Sequence, residues 1–359
     1  MNRVVSFGEI MGRLATPGFK RFQQTMPGPL ELTFAGAEAS VAASIAYLGG
    51  EAAFVTALPQ NALADACIAN LRSLGVDTRE ILRTTEGRLG LYFLEKGANQ
   101  RPGNVIYDRE GAAVSRASPE AYDWARILAH ASWLVLSGIT PALSRNASAV
   151  TQVALRTAGN CGVPVAFDLN YRSKLWRWDP PLEPRQLATR TLRELMPGVS
   201  LLIGGREDTR ELLGLSPAQQ RESSFESDLE LGREVVAQFP KVARVALTLR
   251  AGISASHQNW GGLLYEAATD QIFYAPIQGG RYQPYPITDI VDRLGGGDAF
   301  TAGLLFALGT PELADPQTAV SFAVAASCLS HSIEGDFNYS TRDEIQALMA
   351  GATSGRVNR

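Results

Sequence analysis

The stretch from Asp292 to Phe300 most constrains what this chain can fold into, because three consecutive glycines lead directly into an aspartate and an apolar run. The residues from Ala299 to Leu308 are small or apolar and have the length of a helix, so the spacing predicts that the glycines begin that helix. A helix start presents unpaired backbone N–H groups and the positive end of the macrodipole, which together bind anions. Glycine lets this backbone approach a phosphate closely, since it has no Cβ.

Asp298 carries a negative charge in the same turn, where it would repel a bound phosphate. Its place is explained if the carboxylate accepts a proton from a hydroxyl while Gly295, Gly296 and Gly297 stabilise the charge on a transferring phosphoryl group. The alternative is a glycine-rich turn capped by an ordinary aspartate, and a short motif alone does not decide between the two. No G-x-x-x-x-G-K-[ST] motif is present, so the chain does not use a P-loop for this chemistry.

Charge and cysteine content exclude several other classes of protein. The net charge is 33 − 36 = −3 and no basic block occurs, so a nucleic-acid surface is not indicated. The three cysteines, Cys67, Cys161 and Cys328, are odd in number and widely spaced, which predicts reduced cysteines in the core. Neither a signal peptide nor a long apolar span is seen, and we expect a cytoplasmic protein without membrane segments.

The pattern of strands and helices predicts an α/β protein with a mostly parallel, doubly wound sheet and helices on both faces. Apolar strand candidates alternate with helix candidates from about residue 132 onward. The strands are expected at 3–7, 52–58, 133–136, 164–168, 200–203 and 244–249, and the helices at 35–48, 65–74, 147–158, 186–195 and 229–239. We expect one domain, residues 1–359, with a small separate β-sheet formed by segments near 12–34 and 87–114. Ligands of such sheets bind beyond the carboxyl ends of the strands, where the turn before Asp298 is also expected.

Several stretches resemble the ribokinase/PfkB family of sugar kinases, and the resemblance extends along nearly the whole chain. Asp292–Asp298 is similar to the signature D-T-T-G-A-G-D, with Arg293 and Leu294 at the threonine positions. Ala35–Ser40 resembles a G-G-A-x-x-N signature, although Ala and Ser occupy its first and last positions. Gly205–Asp208 lies where most members have N-x-x-E. Within the family the chain is most similar to 2-keto-3-deoxygluconate kinases, and the stretches that carry this are 90–95, 101–109, 138–144, 168–176 and 328–338.

The resemblance implies a ribokinase-like fold in which the small sheet is a lid, and it assigns roles to the glycine turn. Asp298 is the implied catalytic base for a primary hydroxyl of the sugar, and Gly295, Gly296 and Gly297 bind the γ-phosphoryl group. Gly36 is expected to let the sugar approach the first turn of its helix. Tyr92 and Tyr107 are expected to close over the sugar from the lid, although core packing is the commoner reason for an aromatic residue on a strand.

Charge indicates the class of substrate. A keto-deoxy acid carries a carboxylate, and a site that prefers it over neutral sugars needs a fork-shaped cation. Arg109 and Arg172 follow or end strands beside tyrosines and are the candidates. The alternative is that they form structural salt bridges with Asp108 or Asp168.

For the nucleotide, the resemblance implies ATP and Mg²⁺. The candidate nucleotide-binding residues are Gly205, Asp208, Gly297 and Arg250. Glu207 and Asp208 are candidates for holding Mg²⁺ through water, although solvated acids at a helix start explain them equally well. Arg250 ends a strand, where arginines are commonly just solvated. We expect no direct metal ligands in the chain and leave a requirement for a monovalent cation open. Pairing of exposed lid faces, common in the family, predicts a homodimer.

Three functions are therefore compared. The first is ATP-dependent phosphorylation of 2-keto-3-deoxygluconate to the 6-phosphate. The second is phosphorylation of a neutral sugar such as fructose or ribose on the same fold. The third is a sugar- or nucleotide-binding protein without catalysis, which the departures at Ala35, Ser40 and Gly205 would favour and the retained Asp298 disfavours.

Overall fold

The computed structural model describes residues 3–215 and 225–352. Within these residues the main sheet has ten strands, and a two-stranded hairpin lies beside it. With strands numbered along the chain, the main sheet contains β1 (Arg3–Phe7), β4 (Ala52–Pro59), β5 (Ile81–Thr84), β8 (Ala131–Ser137), β9 (Val165–Asp168), β10 (Leu201–Gly204), β11 (Arg244–Gly252), β12 (Gln258–Glu266), β13 (Gln271–Ala275) and β16 (Tyr285–Ile287), and the hairpin contains β14 (Ile277–Gln278) and β15 (Arg281–Tyr282).

The strand order across the main sheet is β13-β12-β11-β10-β9-β8-β1-β4-β5, and β16 pairs with β12. Every neighbouring pair from β11 to β5 is parallel, whereas β12 is antiparallel to β11, β13 and β16. A short turn from 253 to 257 joins β11 to β12, and a short connection of this kind makes neighbouring strands antiparallel. The predicted mostly parallel sheet is confirmed, and the antiparallel edge is an addition that the alternation did not show.

Helices cover both faces of this sheet. The α-helices of the described residues are α1 (Phe22–Thr25), α2 (Ala37–Tyr47), α3 (Ala62–Ser73), α4 (Ala113–Arg116), α5 (Trp124–Ile127), α6 (Thr140–Leu143), α7 (Arg145–Asn160), α8 (Pro184–Leu195), α9 (Arg206–Leu213), α10 (Phe225–Gln238), α11 (Gly296–Leu308), α12 (Pro316–Ser330) and α13 (Arg342–Met349). One hydrophobic core contains buried residues of α2, α3, α11, α12 and α13, and a second core on the opposite face contains those of α5, α7, α8, α9 and α10. The doubly wound arrangement is therefore confirmed.

A separate four-stranded sheet, here called the lid, has the order β3-β2-β6-β7. Its strands are β2 (Met11–Ala15), β3 (Glu31–Ala35), β6 (Gly90–Glu95) and β7 (Asn104–Asp108). The inner face of the lid carries a small apolar cluster that includes Met11, Tyr92 and Leu94, and Leu294 of the glycine-rich stretch packs against it. The lid therefore touches the residues that lead into α11.

One detail differs from the sequence-based expectations. Cys161 caps the carboxyl end of α7 and is exposed, so its prediction as a core residue was wrong, because it lies in the turn after the helix and not on the buried face of the helix. Cys67 is buried and Cys328 is half-buried, and all three cysteines are free. Within the described part of the chain, no helix has both the length and the apolar character needed to cross a membrane.

Candidate functional site

A cleft of about 680 Å³ opens beyond the carboxyl ends of β9, β10 and β11, on the side of the sheet where α11 begins. Parallel strands direct their carboxyl ends to this edge, which is where the sequence placed the ligand site. The candidate residues that line the cleft are Asp298, Gly295, Gly296, Gly297, Arg172, Gly205, Asp208 and Arg250. The remaining candidates, Gly36, Tyr92, Tyr107 and Arg109, do not line it.

The glycine turn has the geometry of a helix start. Gly295 precedes α11 with a φ of 80°, a left-handed conformation that favours glycine, and Gly296 and Gly297 are the first two residues of the helix. A Cβ on Gly295 would overlap the carbonyl oxygen of Asp336, whereas a Cβ on Gly297 would meet no described atom within 4 Å. The backbone at Gly297 is thus bare and faces open space, as an anion site requires.

His331 supports this turn, although the sequence assigned it no chemistry. It is buried beneath Gly296, where a Cβ would lie 2.8 Å from the imidazole Cε1. Its Nδ1 lies 2.7 Å from the Ser327 carbonyl oxygen, and its Nε2 lies 2.6 Å from the amide nitrogen of Gln258. This pattern assigns the proton to Nδ1, with Nε2 accepting from the amide. Burial lowers the pKa of His331 and keeps the ring neutral.

Asp298 is the third residue of α11 and lies partly exposed in the cleft. Burial raises its pKa well above the ordinary value, and the negative charges of Asp168 and Asp336 raise it further. Arg172 acts in the opposite direction and lowers the pKa of Asp298. A carboxyl group with a raised pKa is a stronger base once ionised, which suits proton abstraction near neutral pH.

Two further carboxyl groups share the cleft. Burial raises the pKa of Asp168 to about 7 against the effect of Arg172, and burial also raises the pKa of Asp208. Asp208 and Glu207 lie in the first turn of α9, which begins after Gly205. No group of three or more His, Cys, Asp or Glu residues in the described residues is arranged to hold a metal ion. The acids present fit Mg²⁺ bound mainly by phosphate and water, because that ion needs few protein carboxylates.

Four arginines line the cleft, and one of them, Arg206, is held by an ion pair with Asp228. Arg172 and Arg250 were expected there, and Arg293 joins them from the glycine-rich stretch. Nη1 of Arg172 donates to the carbonyl oxygen of Tyr171, and no described carboxylate lies within 4 Å of its guanidinium. The expected alternative, a salt bridge to Asp168, is therefore absent from residues 3–215 and 225–352. Arg293 donates to Gln258 and to the Ser254 carbonyl oxygen.

Arg109 lies on the lid side and is held by Glu9. Its Nε lies 2.8 Å from Glu9 Oε2, and its Nη2 bonds the same oxygen. The alternative prediction, a salt bridge between Arg109 and Asp108, was wrong, because Asp108 bonds Arg88 instead. The guanidinium also lies 5.3 Å from the ring centre of Tyr107. Arg109 thus has a fixed carboxylate partner already, unlike Arg172.

Two buried carboxylates near α2 were not singled out from the sequence. Glu9 follows β1, and Glu38 lies in the first turn of α2, where Ser137 and Thr140 donate hydroxyl hydrogen bonds to its Oε1. Oε1 of Glu9 and Oε2 of Glu38 have no hydrogen-bond partner among the described residues. Burial raises the pKa of both groups. An unpaired buried acceptor is costly, so these oxygens suit ligand hydroxyl groups.

Gly36 precedes α2, but its lack of a side chain has a packing explanation. A Cβ at this position would overlap the backbone carbonyl oxygen of Glu9. Glycine is thus required for the approach of two backbone segments, whether or not a sugar binds there. The only sequence signal for Glu9 was its place directly after a buried strand.

Tyr92 is buried and its hydroxyl donates to Asp336 Oδ1 at 2.9 Å. Arg13, from lid strand β2, donates to the same carboxylate and to Asp292. The sequence gave no reason to connect Arg13 with residues about 280 to 320 positions later, since only the fold brings them together. This cluster ties the inner face of the lid to both sides of the glycine turn.

Comparison with known proteins places these features in a family. The model of the pfkB family of carbohydrate kinases matches residues 1–248. A 2-dehydro-3-deoxygalactonokinase from Haloferax volcanii is 34% identical, with 98% of each chain covered. The chain accordingly belongs to the pfkB family of carbohydrate kinases.

Solved structures agree with the fold. The crystal structure of a 2-dehydro-3-deoxygluconokinase from Thermotoga maritima has a TM-score of 0.87 at 39% identity, covering 97% of this chain and 98% of that one. A putative 2-keto-3-deoxygluconate kinase from Enterococcus faecalis has the same TM-score at 26% identity, with coverage of 100% and 99%. The predicted family and its ribokinase-like fold are thereby confirmed.

Proposed function

We propose that this protein transfers the γ-phosphoryl group of ATP to the primary hydroxyl of 2-keto-3-deoxygluconate, also named 2-dehydro-3-deoxygluconate. The hydroxyl oxygen forms a bond to the γ-phosphorus, and the bond from that phosphorus to the β,γ-bridging oxygen breaks. The hydroxyl proton passes to Asp298. The products are ADP and the sugar acid 6-phosphate.

One observation carries this proposal: Asp298 and the open backbone of Gly297 occupy the same first turn at the rim of one cleft. A base and an anion site so close together are what a hydroxyl needs to attack a phosphoryl group. A protein that only binds its ligands does not require a carboxylate with a raised pKa beside a phosphate. The non-catalytic alternative is therefore not favoured.

The nucleotide part of the proposal follows from charge. ATP phosphates would bind along the cleft from the glycine turn toward Gly205, with Arg250 as a cation beside them. Asp208 and Glu207 would hold Mg²⁺ through water. The ion neutralises developing phosphate charge.

Arg172 supports an acidic sugar as substrate. Its guanidinium lies in the cleft without a carboxylate partner among the described residues, so it is available to the carboxylate of a ligand. The unpaired acceptors on Glu9 and Glu38 would bind hydroxyl groups of the same sugar. Arg109, with Tyr92 and Tyr107, remains a second candidate contact from the lid.

The sugar's configuration has two candidates. The relative from Haloferax volcanii is named for the galactonate and the structure from Thermotoga maritima for the gluconate. These two keto-deoxy acids differ only in the configuration of one hydroxyl group. The carboxylate and the reacting hydroxyl are common to both, so the proposed catalytic groups serve either one.

The test is ADP release with ATP and Mg²⁺ over 2-keto-3-deoxygluconate, 2-keto-3-deoxygalactonate, fructose, ribose and gluconate. We expect strong preference for the keto-deoxy acids, and we expect Arg172→Met to lower kcat/KM for them by about 10-fold or more, since a charge-assisted contact is lost. Turnover of fructose or ribose at comparable efficiency would replace the acid substrate with a neutral one. No turnover of any sugar would contradict the function.

A contact with the ATP phosphates is the alternative role for Arg172, and the same panel separates the two roles. A substrate clamp raises KM for the keto acid while KM for ATP stays constant. A phosphate contact raises KM for ATP and lowers kcat for every sugar. Arg177→Met, at an exposed arginine on the same segment that does not line the cleft, is the matched control and should keep both parameters.

We also propose that the outer face of the lid pairs two copies of the chain. Side chains alternate along the lid strands, and the outward face carries an apolar cross-strand row beside the polar Asn104 and Asp108; the row consists of Leu32, Leu14, Phe93 and Ile106. Leu32 and Ile106 are 48% and 50% exposed there. We expect a dimer in sedimentation velocity and a monomer for Leu32→Glu/Ile106→Glu. Ile277→Glu, at an exposed isoleucine of the hairpin β14-β15, is the control; an unchanged dimer in the lid variant would exclude this face.

Further proposals concern the domain organisation, the location in the cell and a monovalent cation. We infer that residues 1–359 act as one α/β unit with lid segments near 12–34 and 87–114, and that the protein works in the cytoplasm, where ATP and Mg²⁺ are available. A monovalent cation requirement is decided by comparing potassium chloride with choline chloride at equal ionic strength in the same assay.

A further inference from the structure

Arg13 is the most unusual charged residue outside the cleft. It lies on lid strand β2, and its side chain is 2% exposed. Burying a guanidinium is costly unless it is paired and hydrogen-bonded. Its partners are Asp336, whose Oδ1 lies 2.5 Å from Nη1, and Asp292, which bonds Nη2.

Both carboxylates border the glycine turn. Asp292 begins the glycine-rich stretch, and its Oδ1 accepts a hydrogen bond from the Leu294 backbone N–H at 3.2 Å. Asp336 lies on the other side, with its carbonyl oxygen against the Cα of Gly295. The second oxygen of Asp292 also accepts from the Gly335 backbone N–H at 3.3 Å. One guanidinium therefore fixes the two chain segments between which Gly295 is held.

The lid contributes two more contacts to this arrangement. Tyr92 of β6 donates to Asp336, and Leu294 packs against the apolar cluster on the inner lid face. Burial disfavours the charged form of Arg13, but Asp336 and Asp292 more than offset that effect and raise its pKa, so the cation is permanent. The lid and the anion site are thus joined by fixed charges and packing.

We propose that Arg13 is a positioning residue for phosphoryl transfer, which couples the lid over the sugar to the backbone that receives the phosphoryl group. This rests on the proposed function for its catalytic part. A displacement of about 1 Å at a reacting group costs on the order of 100-fold in rate. The geometry therefore assigns to Arg13 an effect on kcat, with binding of ATP and sugar largely retained.

The test is Arg13→Lys in the full-length protein, because lysine keeps the charge but a single ammonium lacks the fork that joins two carboxylates. Hydrogen exchange of the backbone amides at 293–298, measured without substrates, should become at least about 5-fold faster. With the sugar acid that the wild type prefers, kcat should fall at least about 10-fold, and directly measured Kd values for ATP and sugar should change less than about 3-fold.

Lys96→Met is the matched control. Lys96 is another nearly buried lid cation, and it bonds Glu334, two residues before Asp336; among the described residues no hydrogen bond or ion pair joins it to Asp292 or to the glycine turn. This variant should leave both kcat and the exchange rates unchanged. Equal effects of the two variants would mean that any loss of a lid ion pair disturbs the turn, and the specific role of Arg13 would be overturned.

The outcomes also separate this inference from the proposed function. Faster exchange in Arg13→Lys alone, with no turnover of any sugar by the wild type, supports the coupling and rejects the kinase activity proposed above. Wild-type turnover with unchanged kcat and exchange in Arg13→Lys rejects the coupling. If Arg13→Lys does not fold, Arg13→Met/Asp292→Asn/Asp336→Asn removes all three charges, and a folded variant with wild-type kcat and exchange overturns the proposal.

Discussion

Replacing Asp298 by Asn is expected to abolish phosphoryl transfer while ATP binding persists. The amide keeps the size of the side chain but cannot accept the hydroxyl proton, and loss of a general base costs about 10²–10⁴-fold in rate. The first turn of α11 retains its backbone N–H groups, so the anion site is preserved. The measurements are kcat with the preferred sugar acid and the Kd for ATP by calorimetry.

The pH dependence supplies a second readout of the same residue. Because burial and the charges of Asp168 and Asp336 raise the pKa of Asp298, wild-type kcat/KM should fall as pH is lowered through that raised pKa. Arg172 lowers the same pKa, so Arg172→Met should move this decline to higher pH. If kcat/KM of Arg172→Met declines at the same pH as in the wild type, the group whose titration controls kcat/KM is not Asp298.

Asp343→Asn is the control for the Asp298 variant. Asp343 also lies in the first turn of a helix, α13, and its side chain is exposed away from the cleft. It should keep wild-type activity, which would show that losing a first-turn charge is not itself harmful. Residual turnover of more than about a tenth in Asp298→Asn would remove Asp298 as the base, since general-base losses start near 10²-fold.

The second large effect is expected for Gly295→Ala. The residue has a φ of 80°, and a non-glycine residue there costs on the order of 1–3 kcal/mol in backbone strain. In addition, the new Cβ would overlap the carbonyl oxygen of Asp336, so the turn must move. We expect a lower free energy of unfolding and a fall of kcat of about 100-fold, because the backbone N–H groups leave their positions.

Gly279→Ala separates these two causes. Gly279 has a φ of 55°, and a Cβ there would meet no described atom within 4 Å. This control carries the backbone strain alone, in a hairpin away from the cleft, and should lose some stability and no activity. If Gly295→Ala behaved like Gly279→Ala in both chemical denaturation and kcat, the close contact with Asp336 would have no catalytic importance.

Local sequence patterns determined much of the fold. The apolar run after Gly297 had the length of a helix, and α11 begins where the glycines placed it. Strand and helix alternation likewise predicted β8 to β11 and three of the helices between them, α7, α8 and α10, because apolar periodicity is a property of neighbouring residues. The antiparallel strands β12 and β13 were not predicted, since a hairpin edge interrupts the alternation on which that reasoning relied.

For the candidate site, too, local motifs predicted some residues and the tertiary structure was needed for others. Asp298, the glycines, Arg172 and Asp208 could be placed in one cleft from motifs at strand and helix ends. The partners of the arginines could not be predicted from motifs. Arg109 bonds Glu9, which lies 100 positions away in the chain, whereas the sequence suggested the adjacent Asp108 as its partner. Ion pairs of long side chains depend on which segments the tertiary fold brings within a few ångströms.

The sequence by itself determined the class of fold, the position of the glycine turn at the start of α11 and the place of Asp298, the proposed base, in the same turn, because these follow from short-range spacing and backbone chemistry. Only the tertiary structure decided which buried charges meet. Arg13 reaches Asp292 and Asp336 across 279 and 323 positions, and His331 lies beneath Gly296. Such contacts arise when the lid and the helices pack on the sheet, since a buried charge is costly unless it is paired and hydrogen-bonded.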